Sequence, residues 1–327
     1  MDRNSAAARV LIPRVLALAL AAVVLAGAGA VDLTVIHAAR WLAPGADRAV
    51  ALGSTRTECL TSPRDPEQAY QVEVGRAAFR TPLLLGGQAA RAGIACESCH
   101  QGGHSNPDFF FPGLSGAPGT ADVTSSLFSS HRDDGIDNPK PIPDLSGPKE
   151  HLKVPQNPDS PALQSFIHGL ITEEFDGAEP PPGVLAGVAA YVRALSPSAC
   201  PTQPRQPLRA QDLAANAQRA ARAAGLALQH ADPATAIFLV GAARTQLGLI
   251  SERFDQPGSG AARAALRTAD LDLQAVRAAI RAGDPRAGER LAIWLAEAPS
   301  WTRVVAAQAD QSLFNPARLA AAGGAKP

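Results

Sequence analysis

The stretch "IACESCHQGGHS", residues 94–105, holds the residue types best suited to chemistry in this chain. Cys96, Cys99 and His100 stand in the order C-x-x-C-H. Two thiols three residues apart can add to the two vinyl groups of a haem, and the adjacent imidazole can reach the iron from one face. A zinc site would need a second ligand pair at similar spacing, and a redox C-x-x-C pair does not need the following His. The motif predicts one covalent haem c, bound by Cys96 and Cys99, with His100 as an iron ligand.

The other face of the iron needs a second ligand. Electron-transfer cytochromes c usually place a Met sulfur there, but the only Met of this sequence is Met1. We predict that His168 is the sixth ligand, because a polar ring between Phe166, Ile167 and Leu170 needs a partner. The alternatives are a core His168 bonded to a carbonyl, and ligation by another residue. Those other candidates are His131 first, then His104, His151, His230, Tyr191 or a Lys.

Composition points to a helical protein without a nucleic-acid partner. The 327 residues include 30 Lys and Arg and 30 Asp and Glu, so the formal net charge is zero. Charged residues are only 18% of the chain and Ala is abundant. We predict an all-α protein: a cytochrome c-like haem domain with long loops, followed by an Ala-rich helical bundle.

The N-terminal residues 1–30 read as an export signal. Arg3, Arg9 and Arg14 precede an apolar run from Val15 to Ala30. This predicts a periplasmic protein, with the segment either cleaved as a signal peptide or retained as an inner-membrane anchor. In such an oxidising compartment the two remaining cysteines, Cys59 and Cys200, are expected to form a disulfide; the alternative is two free thiols.

The rest of the chain divides by composition. Residues 31–66 form a lead-in segment, residues 67–203 the haem domain and residues 204–327 the helical bundle with a disordered tail. A Gly-, Pro- and Ser-rich loop from Gly102 to about Asp159 is long enough to wrap a cofactor. In the bundle, helices are predicted over residues 209–230, 233–252, 260–282, 285–297 and 299–313.

Three stretches between Gly75 and Pro197 follow a common pattern. They are "VGRAAFRTPLLLGGQAARAGIACESCH", "TSSLFSSHRDDG" and "FIHGLITEEFDGAEPPPGVLAGVAAYVRALSP". Together they resemble one haem domain of the bacterial di-haem cytochrome c peroxidase and MauG superfamily. Members carry two C-x-x-C-H motifs and this chain has one, so the resemblance implies a single haem without the internal electron relay. It also implies that His168 stands where the peroxidases have their distal Met and MauG a Tyr.

Three functions fit these patterns. The first is an exported monohaem cytochrome c, bis-His ligated, that passes electrons between an unidentified redox donor and acceptor. The second is a peroxidase or MauG-like oxidase with an open or weakly ligated distal face. The third is a haem-based sensor or assembly partner with the bundle as its docking surface. In the second, acid–base groups would come from polar residues that otherwise serve as solvated loop groups or propionate partners: Glu97, His104, His131, Arg132 and Asp133.

Overall fold

Helices make up most of the described chain. The structure is a computed structural model that describes residues 36–124, 127–131, 136–255 and 258–324. These residues contain eleven α-helices, and their strands form only three two-stranded ribbons. The all-α class is therefore confirmed. The predicted export segment, residues 1–30, lies outside the described residues, as do Arg132 and Asp133.

The helices and strands follow one another from the lead-in to the C-terminus. The helices are α1 Arg48–Gly53, α2 Pro66–Phe79, α3 Gly87–Ala92, α4 Cys96–Cys99, α5 Ala162–Gly169, α6 Pro182–Ala194, α7 Ala210–Gln229, α8 Pro233–Ser251, α9 Gly260–Arg281, α10 Ala287–Ala307 and α11 Pro316–Gly324. The antiparallel ribbons pair β1 Ser54–Arg56 with β6 Arg205–Pro207, β2 His100–Gln101 with β3 His104–Ser105, and β4 Thr120–Ala121 with β5 Lys140–Pro141.

Helices α2 and α6 precede and follow the C-x-x-C-H motif in sequence, and they pack directly against each other. Asp65 caps α2 by accepting a hydrogen bond from the Gln68 amide at 2.8 Å, and Pro66 fits the first helical position. The helices approach most closely where two glycines face each other, because a Cβ on Gly75 would overlap the carbonyl of Gly187. This backbone contact places the two ends of the region 67–203 side by side.

The C-terminal bundle consists of α7 to α10. Small side chains let α7 and α8 pack closely, with Ala217, Ala224 and Ala243 fully buried. The start of α8 is capped as predicted by Asp232, whose carboxylate accepts from the Thr235 amide at 3.0 Å. Helix α8 also contacts α2, and the hydrophobic core runs continuously from that contact into the bundle.

One bundle prediction is wrong. The sequence predicts two helices, over residues 285–297 and 299–313, but a single helix, α10, runs without interruption from Ala287 through Pro299 to Ala307. A proline inside a helix removes one backbone hydrogen bond. Trp294 and Trp301 lie on either side of it with ring centroids 5.8 Å apart, and both are buried. Burial of these two rings against the bundle holds the helix together across the missing bond.

The lead-in segment packs against the C-terminal part of the chain. A separate small core joins Leu52 of α1 to Leu313 and Leu319. The buried Arg253 guanidinium donates to the carbonyl of Leu52 at 2.8 Å and to that of Leu313 at 3.3 Å. Ribbon β1–β6 adds a second connection between the lead-in and the start of the bundle.

The predicted disulfide between Cys59 and Cys200 is present, with the two Cα atoms 4.1 Å apart. It links residues 141 positions apart in sequence and joins the lead-in to the chain just beyond α6. Beside it, Leu60 and Leu195 form an isolated backbone bridge. The disulfide therefore closes the whole region between the lead-in and the bundle into one covalent loop.

Among the described residues, one helix is long and apolar enough to cross a membrane. It spans Pro233–Phe254, with a mean hydropathy of 1.3. More than half of it is buried by other parts of the protein, since it is the central helix of the bundle. Its composition is that of a core helix.

The glycine contact between α2 and α6 yields a stability prediction. Gly75→Ala forces a methyl group into the Gly187 carbonyl and should lower the free energy of unfolding by about 3 kcal/mol, at the upper end for overpacking. Gly248→Ala is the matched control, because that helical glycine has open space around it and should gain about 0.5–1 kcal/mol. Urea unfolding of both variants measures the difference. Equal stabilities would show that the helices do not meet at Gly75.

Candidate functional site

The motif cysteines lie together on one helical turn. Helix α4 is a single turn, Cys96–Cys99, and its start is capped by the Ser98 hydroxyl, which accepts from the Ala95 amide at 3.1 Å. Residues three apart on a helix project from the same side. Both cysteines are free thiols, and burial raises the pKa of Cys96 to about 12 and that of Cys99 further. They are therefore protonated thiols that face the same direction.

The His100 ring is oriented by a backbone carbonyl. Its Nδ1 lies 3.0 Å from the carbonyl oxygen of Pro143, so Nδ1 carries the proton and donates it. Burial lowers the pKa of His100 to about 4, which keeps the ring neutral. The lone pair is then on Nε2. An imidazole that donates one ring N–H to a carbonyl and offers the other nitrogen is the usual arrangement of a metal-ligating His.

A tight glycine turn holds the motif in place after His100. Ribbon β2–β3 reverses through Gly102 and Gly103, which have φ angles of 63° and 87°. A Cβ on Gly103 would lie 2.7 Å from the Leu195 side chain, so the turn packs on the end of α6. The side-chain amide of Asn106 donates to the Ser98 carbonyl at 2.8 Å and its backbone amide to that of Cys99 at 2.9 Å.

Aromatic side chains line the region around the long loop. Phe109 and Phe128 are buried, and Phe128 stacks between Phe111 and Phe175 with centroid separations of 5.3 Å and 5.9 Å. Phe79 lies 6.2 Å from the His100 ring. The described loop residues contain little regular structure, as predicted, apart from strand β3, ribbon β4–β5 and a short 3₁₀ turn. The long loop therefore contributes buried aromatic side chains to the hydrophobic core.

His168, the predicted sixth ligand, lies on α5 beside the buried Ile167. Its Nε2 is 2.7 Å from a carboxylate oxygen of Glu179, and its side chain is 37% exposed. Among the described residues the partner of this ring is therefore an acidic side chain, and not the backbone carbonyl that was the alternative to iron ligation. If His168 donates Nε2–H to Glu179, Nδ1 is the nitrogen left to bind a metal.

The other sequence candidates lie at several places. The His131 side chain is 63% exposed, and its Nε2 lies 3.7 Å from Asp176. His151 is exposed, and His230 packs edge-on against Tyr70 at the end of α7. The His104 ring lies against the disulfide, with its Nε2 3.3 Å from the sulfur of Cys59. Glu97 accepts from the Gly102 amide at 2.9 Å and belongs to an ion-pair network.

Sequence reasoning missed that network, which centres on Glu58. One carboxylate oxygen accepts from Arg80 at 2.7 Å and from the Tyr191 hydroxyl at 2.6 Å, and the other pairs with Arg76. Arg80 also lies 3.7 Å from Glu97 of the motif helix. Burial alone would raise the pKa of Glu58, but Arg80, Arg76 and the Tyr191 hydroxyl outweigh it and lower the pKa to about 2. The partners are up to 133 positions apart, so no local pattern could have shown them.

Comparisons with protein-family models, curated proteins and solved structures found no match for this chain. The resemblance to the di-haem peroxidase superfamily therefore rests on the sequence motifs alone. The site must be interpreted from its own residues: two protonated thiols on one helical turn and an adjacent neutral imidazole with a free Nε2. These groups fit a covalently bound haem, since they supply both attachment points and one iron ligand.

The Glu58 network predicts an acid-sensitive part of the stability. A carboxylate whose folded pKa lies below its unfolded pKa stabilises the fold fully above about pH 4.5, and that stability is lost as the pH falls towards 2. Between about pH 6 and pH 3 the wild type should lose about 2 kcal/mol more than Glu58→Gln, as measured by urea unfolding. Glu67→Gln, which changes a half-exposed carboxylate paired with His230, is the control and should lose as much as the wild type. If Glu58→Gln loses as much too, Glu58 does not carry this stability.

Proposed function

We propose that this protein is an exported cytochrome c that transfers electrons through one covalently bound haem. The observation that carries the proposal is the orientation of His100, whose Nδ1–H donates to Pro143 and leaves Nε2 for a metal directly beside two free thiols. A zinc or redox role for the cysteines would not require this His. The iron, when bound, would supply the one-electron redox chemistry.

The chain's own residues would fix the cofactor and keep water away from it. The thiols of Cys96 and Cys99 would form the two thioether bonds, and His100 would bind the iron through Nε2. The hydrogen bond to Pro143 would keep the His100 ring in one orientation. Phe79, whose ring centroid lies 6.2 Å from that of His100, would exclude water from one side of that ring.

Export to the periplasm is part of this proposal. The Arg-containing and apolar residues 1–30 support it, and the Cys59–Cys200 disulfide is compatible with an oxidising compartment. The N-terminal segment would be cleaved or would anchor the protein in the inner membrane. Redox donor and acceptor proteins are the expected partners, and the helical bundle offers a docking surface.

Covalent attachment is the direct test of haem binding. Expressed with a bacterial cytochrome c maturation system, the wild type should retain haem on a denaturing gel and stain for haem. Cys96→Ser and Cys99→Ser should each weaken or abolish the stain, because each removes one thioether bond. Ser98→Ala on the same turn is the control and should still stain. A wild type without covalent haem would overturn the proposal.

The contact between His168 and Glu179 bears on the second function. If Glu179 keeps His168 away from the iron, the distal face would be open or weakly held, and a peroxidase or MauG-like oxidase becomes the better description. If Glu179 orients the ring and Nδ1 binds the iron, both faces are occupied and the protein transfers electrons. We favour the second arrangement, because a metal-ligating His usually donates its other ring N–H to a carboxylate or a carbonyl, and Glu179 would be that carboxylate.

The absorption spectrum separates these possibilities. The wild type should be low-spin in both oxidation states, whereas His168→Ala should be high-spin and should bind cyanide. His131→Ala is the matched control and should leave the spectrum unchanged, because that ring is exposed and faces Asp176. If His131→Ala becomes high-spin and His168→Ala does not, the ligand is His131. A high-spin wild type would favour the enzyme.

The redox potential gives an independent check. Met1 is the only methionine, so no thioether ligand is available within the haem region to raise the potential. We expect a potential well below that of a His/Met cytochrome, measured by electrochemistry on the purified protein. A high potential together with a thioether-to-iron charge-transfer band would contradict this ligand set.

A further inference from the structure

The Cys59–Cys200 disulfide lies directly beside the imidazole of His104, which the proposed electron-transfer function does not use. The Cys59 sulfur is 3.3 Å from Nε2 of His104, and the ligand atoms of Cys59, His104 and Cys200 all lie within 4.8 Å of one another. The other ring nitrogen, Nδ1, is 3.1 Å from a carboxylate oxygen of Asp144. A series of contacts therefore runs from the Asp144 carboxylate through the His104 imidazole to the Cys59 sulfur of the disulfide.

Both ring nitrogens of His104 face hydrogen-bond acceptors. Ser146 donates its hydroxyl proton to Asp144 at 2.6 Å, so its oxygen accepts from Nδ1, which is 2.9 Å away. On the other side, Nε2 is 3.2 Å from the carbonyl of Thr57 as well as 3.3 Å from the Cys59 sulfur. With acceptors at both nitrogens, the ring can donate an N–H towards Cys59 and Thr57 from Nε2 or towards Asp144 and Ser146 from Nδ1. Partial burial alone would raise the pKa of Asp144, but hydrogen bonds from Ser146 and His104 lower it, so a carboxylate lies beside Nδ1.

The two sulfurs of the bridge have different surroundings. Cys59 is 1% exposed, whereas Cys200 is exposed at the end of a short 3₁₀ turn. A reagent in solution can therefore reach Cys200 and not Cys59. A buried thiolate without a partner would be costly, but a thiolate at Cys59 would lie against the N–H of His104. In thiol–disulfide exchange, a better-stabilised leaving thiolate departs faster.

We propose that the Cys59–Cys200 bridge is a thiol–disulfide exchange site, at which an external dithiol attacks Cys200 and His104 stabilises Cys59 as the leaving thiolate. In the first step a thiolate of the dithiol bonds to the Cys200 sulfur, and the electron pair of the protein S–S bond moves to Cys59. In the second step the other thiol of the dithiol attacks the reagent's own sulfur and releases Cys200. The dithiol gives up two electrons and two protons; Cys200 takes one proton, and the other stays in solution while Cys59 remains a thiolate.

The site of attack can be mapped on the unaltered protein. The purified holoprotein is treated with glutathione, free thiols are trapped with N-ethylmaleimide, and peptides are identified by mass. We expect glutathione on Cys200 and maleimide on Cys59. Glutathione on Cys59, or equally on both, would overturn the proposal. Maleimide on Cys96 and Cys99 would instead report that haem is not attached, so a failure of the haem proposal shows on different peptides.

The role of His104 is tested by the kinetics and equilibrium of reduction with dithiothreitol. His104→Gln should slow the opening of the bridge about tenfold and disfavour the reduced form about tenfold, a shift of about 30 mV for this two-electron couple. His151→Gln replaces an exposed ring and is the control that should behave as wild type. Asp144→Asn keeps the ring but removes its carboxylate partner, and it should slow reduction by a smaller factor. Wild-type rates in both His104→Gln and Asp144→Asn would show that His104 does not assist the exchange.

Discussion

The buried Glu58 carboxylate connects the lead-in segment to the helices around the C-x-x-C-H motif through hydrogen bonds and ion pairs. It comes from the lead-in, and its partners come from the end of α2, from α6 and, through Arg80, from the motif helix α4. A carboxylate with two guanidinium partners and a phenolic hydroxyl has its hydrogen-bonding capacity used, which is the condition for a buried charge to be tolerated. Removing one partner would leave the others charged and poorly solvated. Through Arg80, this network is one of the contacts that position α4 relative to the two packed helices.

A second constraint is the short segment from Pro143 to Ser146. The carbonyl of Pro143 orients His100, and the side chains of Asp144 and Ser146 orient His104. Between them, the Leu145 amide donates to the carbonyl of Gly103 at 2.8 Å. Four consecutive residues therefore fix both the proposed iron ligand and the imidazole beside the disulfide. The haem motif and the bridge are parts of one arrangement, although they are distant in sequence.

The contacts between the bundle and the region 67–203 explain how a chain with so few aromatic residues forms a continuous core. Alanines bring α7 and α8 close together, and the Thr245 hydroxyl of α8 lies 2.9 Å from that of Thr81, just beyond the end of α2. The Gln246 amide also faces the Arg80 carbonyl at 3.5 Å, next to the Glu58 network. The bundle therefore packs next to the ion-pair network at Arg80.

The sequence by itself determined the features that depend on neighbours in the chain. The spacing of Cys96, Cys99 and His100, the capped start of α8, the long loop and the all-α class follow from local residue types. The pairing of Cys59 with Cys200 followed from assigning the other two cysteines to the C-x-x-C-H motif and from the expected oxidising compartment. Only the tertiary structure decided the rest. The partners of Glu58, the carbonyl at His100, the acidic partner of His168 and the continuation of α10 through Pro299 depend on contacts between distant segments or on burial against them. Burial and long-range hydrogen bonds are properties of the packed chain, and no local pattern encodes them.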